Sequence, residues 1–303
     1  MASFRERVGN VMRETQDSIC EALEAVERER GSKASFREDV WERAGGGGGR
    51  TRVLVNGAFL EKAGVNVSAV HGQLNPEFAK QIPGSGGAFF ATGVSLVLHP
   101  KSPHVPTVHA NFRYIVHGEK SWFGGGSDLT PYYFHAEDKE HFHRVWKSLC
   151  EQHADIANYP RFRDWCDRYF YLPHRGERRG VGGIFFDHLL TDGDAARSEK
   201  LLAFVRAAGA AFPGAYLPIV RKHLDERVTR AQRTWQELRR GRYVEFNLLH
   251  DRGTVFGLKT GGRTESILMS LPPCVRWSYA HEPRKGSAEA ALLQELRRPP
   301  PPE

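Results

Sequence analysis

The chain has 303 residues, with 43 Lys and Arg against 36 Asp and Glu, which gives a formal net charge of +7. Apolar residues make up 40% of the sequence and charged residues 26%, so the composition is that of a folded globular protein and excludes wholesale disorder. No stretch approaches the ~18 consecutive apolar residues of a transmembrane helix. The modest positive charge fits nucleic acid, an anionic membrane surface or an acidic small molecule, and does not choose among them.

Hydrophobic periodicity predicts the elements of the first half of the chain. An amphipathic helix is expected over 3–30, and the five consecutive glycines at 45–49 indicate a flexible loop. The predicted strands lie near 53 and over 65–70, 94–98 and 107–116. The glycine-dense segment 122–131 is predicted to be a loop that holds Asp128 where a ligand can approach closely.

The second half is predicted to begin with helices and to end with strands. The predicted helices cover about 136–153, 161–172, 194–211, 217–240 and 287–297. The helix at 194–211 is expected to stop at Pro213. The predicted strands cover 184–188, 243–249, 254–258, 266–271 and 275–279. Antiparallel-type strands separated from blocks of helix favour an α+β fold, and we expect a single domain over 1–303 that ends in a tail at 298–303.

The strand at 107–116 has the most informative alternation. Because successive side chains of a strand point to opposite faces, His109, Asn111 and Arg113 share one face. Apolar residues form the other face, namely Val108, Ala110, Phe112, Tyr114 and Val116. The polar face fits a binding site and a solvent-facing strand equally well.

The cysteines and the first residues of the chain bear on its compartment. Four cysteines are widely spaced without a Cys-x-x-Cys pair, which argues against an iron–sulfur cluster, a structural zinc site or a disulfide scaffold. Cys150 and Cys166 lie among helix-type apolar residues and are predicted to be buried free thiols. The opening residues mix acids with arginines and lack an apolar segment, unlike a signal or transit peptide. We therefore expect a cytoplasmic location.

The ionisable residues of the middle third permit two kinds of chemistry. Five histidines lie in or beside it, at positions 99, 109, 141, 143 and 174. Imidazoles are common metal ligands, but the spacing is irregular and matches neither H-E-x-x-H nor H-x-H-x-D. Acid–base chemistry is the alternative, with Asp128 as a base or cation stabiliser and a histidine as the proton donor.

Arg113 and Arg263 are candidates for holding carboxylates, because a guanidinium binds a carboxylate through two parallel hydrogen bonds. Arg263 follows two glycines in a predicted turn whose backbone N–H groups are free for an anion. Structural roles fit equally well: Arg263 could pair with Glu265, and Asp128 could cap a turn.

A basic segment lies at 221–242. It holds eight Lys or Arg and three Asp or Glu, a surplus of five positive charges. Such a segment could bind nucleic acid. A solvated helix face is the commoner interpretation, and Phe and Tyr are not interleaved with the basic residues, which weakens the case for base stacking.

Longer motifs give the sequence a family resemblance. They include Ala91-Thr-Gly-Val-Ser-Leu-Val-Leu-His99-Pro, Pro106-Thr-Val-His109-Ala-Asn111-Phe-Arg113-Tyr, Trp122-Phe-Gly-Gly-Gly-Ser-Asp128-Leu-Thr-Pro131, Tyr169-Phe-Tyr-Leu-Pro-His174-Arg, Arg179-Gly-Val-Gly-Gly-Ile-Phe-Phe-Asp187 and Phe256-Gly-Leu-Lys-Thr-Gly-Gly-Arg263-Thr-Glu-Ser-Ile-Leu-Met-Ser-Leu-Pro272. In this order, over about residues 4–280, they closely resemble the oxygen-dependent coproporphyrinogen III oxidases of haem biosynthesis. Several long motifs in one order are more specific than any single pattern.

The resemblance implies one antiparallel sheet with helices on both faces, assembled as a homodimer. It implies that O₂ oxidatively decarboxylates two propionates of coproporphyrinogen III to vinyl groups, which gives protoporphyrinogen IX. The resemblance implies no required cofactor, since O₂ is a co-substrate, and we expect neither nucleic-acid binding nor integral membrane association.

The resemblance also implies roles for residues that match its motifs. His109 matches the family's proton donor. The substrate-contacting segments match Ser95, Asn111, Phe112, Arg113, Gly261, Gly262 and Arg263. Histidines assigned to a divalent metal in some members match His99, His109, His143 and His174, and His174 is also linked to the dimer.

The expected catalytic residues are His109, Asp128 and Arg113. We hypothesise that Asp128 accepts a hydrogen bond from a pyrrole N–H and assists its deprotonation. A peroxide formed on the pyrrole would then remove a β-hydrogen of the propionate as CO₂ leaves. Because the substrate carries four propionates, arginines in the pocket are a physical necessity, and an acidic small molecule becomes the favoured partner.

Overall fold

A computed structural model describes residues 2–74, 76–80, 82–259 and 262–302. The helices are α1 (Phe4–Glu29), α2 (Pro76–Ala79), α3 (Ala136–Gln152), α4 (Tyr159–Tyr169), α5 (Ala195–His223), α6 (Arg230–Leu249), α7 (Arg252–Lys259), α8 (Thr264–Leu268) and α9 (Ala288–Leu296). The strands are β1 (Arg37–Glu42), β2 (Gly47–Val55), β3 (Leu60–Gln73), β4 (Ala88–Pro100), β5 (Thr107–His117), β6 (Lys120–Thr130), β7 (Tyr171–Leu172), β8 (Glu177–Arg178) and β9 (Gly183–Leu190).

Seven strands form one antiparallel sheet in the order β1–β2–β3–β4–β5–β6–β9. Helices α1 and α5 pack on one face and bury it in the main core. The segment around α8 lies on the other face, where Ser266 Oγ is 2.8 Å from Thr51 Oγ1 and Lys62 Nζ donates to Leu271 O at 2.9 Å. The predicted α+β fold, with helices on both faces of an antiparallel sheet, is confirmed.

The predicted alternation of β5 is also confirmed. Val108, Ala110 and Phe112 are at most 1% exposed, because their face meets the core under α1 and α5. His109 and its polar neighbours are only half-buried. The polar side of the strand therefore faces α8 and leaves room for a ligand.

Two glycine-rich segments predicted to be loops, 45–49 and 122–131, are largely strands, so both predictions are wrong. The first opens β2 and the second belongs to β6. A Cβ at Gly49 would lie 2.3 Å from the ring of Trp41 on the neighbouring strand. Glycine is required where strands and side chains approach this closely, so these glycines indicate tight packing and not flexibility. Asp128 consequently lies in a strand.

The helix expected to stop at Pro213 does not stop there. Helix α5 runs through both Pro213 and Pro218. A helix-interior proline costs roughly 3 kcal/mol. Burial of the apolar side chains that α5 packs against α1 and α3 offsets that cost, at about 1.5–3 kcal/mol for each fully buried side chain. The two helices predicted at 194–211 and 217–240 correspond to α5 and α6, but the break between them lies at 224–229 and not at Pro213, so the predicted boundary is wrong.

Of the described helices, α5 is long and apolar enough to cross a membrane by length and composition. Its Leu201, Phe204 and Val205 are at most 1% exposed within the protein. We interpret α5 as the central helix of the core, which needs the same apolar composition.

The strands predicted near the C-terminus are wrong. Residues 243–249 lie in α6 and 254–258 in α7. Of 266–271, the first three belong to α8, and 269–271 and 275–279 have no helix or strand. Short apolar runs do not distinguish a strand from a buried helix segment. The sheet therefore gains no strand from this part of the chain.

The basic segment at 221–242 is not simply a solvated helix face, which corrects the interpretation favoured above. Arg240 is fully buried and donates to Glu61 at 2.7 Å and to Pro100 O at 2.9 Å. Arg239 is 6% exposed and donates to Glu177 at 2.8 Å. Much of the positive charge of α6 is therefore neutralised inside the protein.

The four cysteines are unpaired. Cys20, Cys150 and Cys166 are buried, and Cys274 is exposed. Burial raises the pKa of the Cys150 thiol to about 12, so this thiol stays protonated at neutral pH. The prediction of buried free thiols at positions 150 and 166 is confirmed.

Candidate active site

The polar face of β5 forms the floor of a cleft. In the register of the sheet, Ser95 of β4 lies opposite Asn111, and Asp128 of β6 lies opposite His109. Arg113 lies two residues beyond Asn111 in β5 and therefore on the same face of the strand. Directly opposed residues of antiparallel strands share a face. The sheet therefore brings these five predicted residues to one surface.

Two adjoining cavities, of about 240 and 390 Å³, lie on this surface. Both are lined by Ser95, Asn111, Arg113, Tyr169 and Gly253. The smaller cavity extends to His109 and α8, and the larger one extends along apolar side chains of β4, β5 and β6. Apolar walls with a few convergent polar groups are typical of small-molecule sites.

Glycines keep the floor of the cleft open beside Arg113. A Cβ at Gly124 would lie 2.5 Å from Asp187 Oδ1 and 2.9 Å from Arg113 Nε. A Cβ at Gly93 would lie 3.1 Å from Arg113 Cβ. No larger residue fits without moving the arginine, so these glycines set its position.

Asp128 is 1% exposed and accepts hydrogen bonds from two side chains. Its Oδ1 lies 2.9 Å from His109 Nδ1, and Arg179 Nη2 donates to both carboxylate oxygens at 2.7 and 2.8 Å. Burial alone would raise the pKa of Asp128, but Arg179 and His109 outweigh it and lower that pKa. The carboxylate therefore stays ionised and holds the proton of His109 on Nδ1, which leaves Nε2 available to a ligand.

Arg179 was not among the predicted site residues. Its guanidinium is buried among three aromatic rings, at 4.0 Å from the centroid of Phe170, 4.7 Å from Tyr243 and 4.8 Å from Phe246. A weakly hydrated guanidinium over aromatic faces can remain charged without water. The signal that could have found it was its place at the start of the motif 179–187.

Arg113 is held by Asp187, a second residue absent from the prediction. Arg113 Nη2 donates to Asp187 Oδ2 at 2.5 Å. Arg113 Nε and Asn111 Oδ1 are buried and have no hydrogen-bond partner among the described residues. An unpaired buried polar atom costs roughly 1–3 kcal/mol. The Arg113 Nε donor and the Asn111 Oδ1 acceptor can therefore each gain a hydrogen bond from a polar ligand in the cleft.

Four predicted substrate contacts lie elsewhere or outside the described residues. The side chain of Phe112 is in the core on the opposite face, 1% exposed. Arg263 donates to Asp39 Oδ2 at 2.5 Å and lines neither cavity. Gly261 is outside the described residues, and Gly262 donates its N–H to Gly257 O at 2.8 Å. The backbone N–H of Gly262, in the turn before α8, is therefore used within the protein and is not free to bind a ligand in the cleft.

The four histidines proposed as metal ligands do not meet. His99 is buried between Thr107 and Ser270 O, and His143 lies between Tyr159 Oη and Val181 O. His174 contacts Glu245 and His250, and His109 contacts Asp128. Across the described part of the chain, none of the four belongs to a group of three ligands close enough for one ion.

Comparison with known proteins agrees with this geometry. The family described as Coproporphyrinogen III oxidase matches residues 7–301. The chain belongs to this family. It is 51% identical to coproporphyrinogen-III oxidase 1, chloroplastic, of Arabidopsis thaliana, over 96% of this chain and 78% of the relative. It is 50% identical to the oxygen-dependent coproporphyrinogen-III oxidase, mitochondrial, of Homo sapiens, over 94% of this chain and 64% of the relative.

These coproporphyrinogen III oxidase matches confirm the resemblance and the assignment to an oxidoreductase family of haem biosynthesis. They also overturn one expectation. The relatives from Arabidopsis thaliana and Glycine max are labelled chloroplastic, and the one from Homo sapiens mitochondrial. The predicted cytoplasmic location is therefore wrong.

Proposed function

We propose that this chain converts two propionates of coproporphyrinogen III to vinyl groups in the cleft above β5, with O₂ as oxidant. The observation that carries the proposal is the row of His109, Asn111 and Arg113, which faces a cavity with unpaired polar atoms. Each conversion removes one β-hydrogen and CO₂ from a propionate and transfers two electrons to O₂. The protein must therefore bind carboxylates and move a proton.

Arg113 is the proposed carboxylate anchor. One arm of its guanidinium is fixed by Asp187, and Nε has no partner among the described residues. Its side chain is 30% exposed, which makes it accessible from the cavity. A charge-assisted hydrogen bond contributes roughly 1.5–3 kcal/mol, enough to orient one propionate beside His109.

His109 is the proposed proton-transfer group, and Asp128 is proposed to act through it. Both oxygens of Asp128 are engaged by Arg179, and Oδ1 also by His109. A direct hydrogen bond from a pyrrole N–H to Asp128 would therefore have to displace Arg179. We infer instead that His109 Nε2 accepts the pyrrole proton and later returns it to the reduced oxygen, while the Asp128 carboxylate stabilises the imidazolium.

The proposed reaction needs no metal at these histidines. The separate hydrogen-bond partners of His99, His143 and His174 support this part of the proposal. The deciding experiment incubates purified protein with coproporphyrinogen III in air, with and without chelator, and follows porphyrin fluorescence after oxidation. Product formed in chelator supports the metal-free reaction. Product lost on chelation and restored by metal would replace it with a metal-dependent oxygenase.

We also propose that the chain forms a homodimer through the surface around Glu245. Glu245 contacts both His174 and Trp277. Trp277 is 53% exposed and Tyr279 fully exposed, and Leu249 on α6 is 62% exposed. Exposed large apolar groups gathered on one surface are typical of protein interfaces. Light scattering on the Tyr279→Asp variant tests this proposal. If the variant formed a dimer as stable as that of the wild type, the interface would lie elsewhere.

A further inference from the structure

A second cluster of histidines and carboxylates lies where the beginning of α3 meets the end of α5. Asp138 and His223 are 6% and 2% exposed, and His223 Nε2 lies 2.6 Å from Asp138 Oδ2. The ring of His135 packs against the ring of His223 with 4.6 Å between centroids. One potential ligand atom from each of the three residues lies within 4.8 Å of the other two. No residue of this trio lines the two cavities of the candidate active site.

Two further observations point to a ligand. Nε2 of His135 is buried without a hydrogen-bond partner among the described residues, which leaves a strong lone pair or N–H unused. Nδ1 of His223 is hydrogen-bonded to Glu226. A carboxylate hydrogen-bonded to one nitrogen of a histidine fixes the ring and leaves the other nitrogen facing an ion, as is usual for histidine ligands of metals.

We propose that His135, Asp138 and His223 bind one divalent ion of the Zn²⁺ class, with Glu226 as the residue that orients His223. Two imidazoles and one carboxylate, with a fourth position for water, are a preferred zinc ligand set. At zinc–ligand distances of about 2.0 Å, two ligand atoms of a tetrahedral site lie about 3.3 Å from each other. The Asp138–His223 hydrogen bond opens slightly on binding and the half-buried His135 moves inward.

The surrounding charges are compatible with such an ion. Lys222 Nζ donates to Asp138 Oδ1 at 3.0 Å, so the ion takes the other oxygen, Oδ2. His104 Nδ1 lies 3.1 Å from Glu226 Oε2, which holds that carboxylate in place. Two carboxylates and one lysine leave a net negative surrounding for a cation. The ion would join α3 to α5, so its effect is on stability and not on turnover.

The test uses the full chain, stripped with chelator and titrated with Zn²⁺ by calorimetry and with Co²⁺ by visible absorption. We expect one ion per chain and a tetrahedral Co²⁺ spectrum. His135→Ala should weaken binding by more than ~100-fold, and Glu226→Gln by about 10–100-fold. His141→Ala is the matched control and should bind as the wild type does, because His141 lies in α3 but is bonded to Gly214 O.

His135→Ala is expected to fold, because His135, which immediately precedes α3, makes no side-chain hydrogen bond that caps the helix, and circular dichroism checks it. Zn²⁺ should raise the melting temperature of the wild type and not that of His135→Ala. Absence of Zn²⁺ binding by the wild type, or equal binding by His135→Ala and Asp138→Asn, would overturn the proposal. Neither readout depends on oxidase activity, so this result is independent of the proposed function.

Discussion

Arg179 and Asp128 form a buried ion pair, in which Nη2 of Arg179 donates to both carboxylate oxygens at 2.7 and 2.8 Å. The Arg179 guanidinium also lies over three aromatic rings, which can hold a charged guanidinium away from bulk water. Because Asp128 also accepts a hydrogen bond from His109 Nδ1, this ion pair holds the His109 ring in place. It explains how a carboxylate stays ionised in the core next to the cleft.

Replacing Arg179 should destabilise the protein strongly. Arg179→Met leaves Asp128 buried without its cation, and breaking a buried pair in this way costs about 3–5 kcal/mol. Denaturant unfolding measures the change. The control is Arg163→Met, because Arg163 pairs with Asp164 at an exposed position and such pairs contribute roughly 0–1 kcal/mol. Equal losses in the two variants would contradict a special role for Arg179.

Asp128 and His109 should behave as one unit in turnover. Asp128→Asn keeps the shape but removes the charge that supports an imidazolium, so kcat should fall by about 10²–10⁴-fold with a smaller change in KM. His109→Gln should cost a similar factor. Because groups that act together are not additive, the double variant should be little worse than either single one. If the fold decrease in kcat of the double variant equalled the product of the two single decreases, Asp128 and His109 would act independently.

The sequence predicted this site better than it predicted the fold around it. The alternation of β5 placed His109, Asn111 and Arg113 on one face, because strand geometry depends on local order alone. Asp187 and Arg179 were missed because their roles depend on partners 74 and 51 residues away. Nothing in local spacing reports such a pairing.

The misassigned elements have two physical causes. Glycines in β2 and β6 indicate close approach of neighbouring strands, which from sequence alone resembles flexibility. The helix that contains Arg230 was predicted to end at 240, and the end of α6, α7 and α8 were predicted to be strands, because apolar and aromatic runs fit both structures. In both cases the tertiary packing decided the local conformation.

Arg113 and Arg263 should differ in their effect on substrate binding. Arg113→Ala removes a charged donor from the cleft and should raise KM by about 10–100-fold, as expected for roughly 1.5–3 kcal/mol. Arg263 is bonded to Asp39, so Arg263→Ala should change KM by less than about threefold, within the range of an exposed ion pair. Steady-state kinetics compares them. An equal rise in KM for Arg263→Ala would show that the α7–α8 segment moves to bring Arg263 to the substrate.

Glu61 should give the protein stability that depends on pH. It accepts from Arg240 at 2.7 Å and from Arg233 at 2.6 Å. Burial would raise the pKa of Glu61, but the two arginines outweigh it and hold that pKa below 4.5. Since the folded pKa is the lower one, the stabilisation is present above pH 4.5 and is lost as the pH falls through the folded pKa.

The corresponding variant is Glu61→Gln. At pH 7 it should lose about 3 kcal/mol, because it leaves the buried Arg240 without its anion. Its stability relative to the wild type should improve steadily below pH 4.5. Glu282→Gln, whose partner Arg297 is 47% exposed, is the control and should differ little from the wild type at either pH. A pH-independent difference for Glu61→Gln would exclude a lowered pKa of Glu61 in the folded protein.

Gly124 should be needed for activity although it carries no functional group. In Gly124→Ala the new methyl would lie 2.5 Å from Asp187 Oδ1 and 2.9 Å from Arg113 Nε, so the arginine must leave its position. Turnover should fall by at least ~10-fold, since small displacements of a positioning group are costly. Gly214→Ala is the matched control: it lies inside α5 with no atom within 4 Å of the new methyl, and it should stabilise the helix by about 0.5–1 kcal/mol. Normal turnover in Gly124→Ala would show that the Arg113–Asp187 geometry does not matter for the reaction.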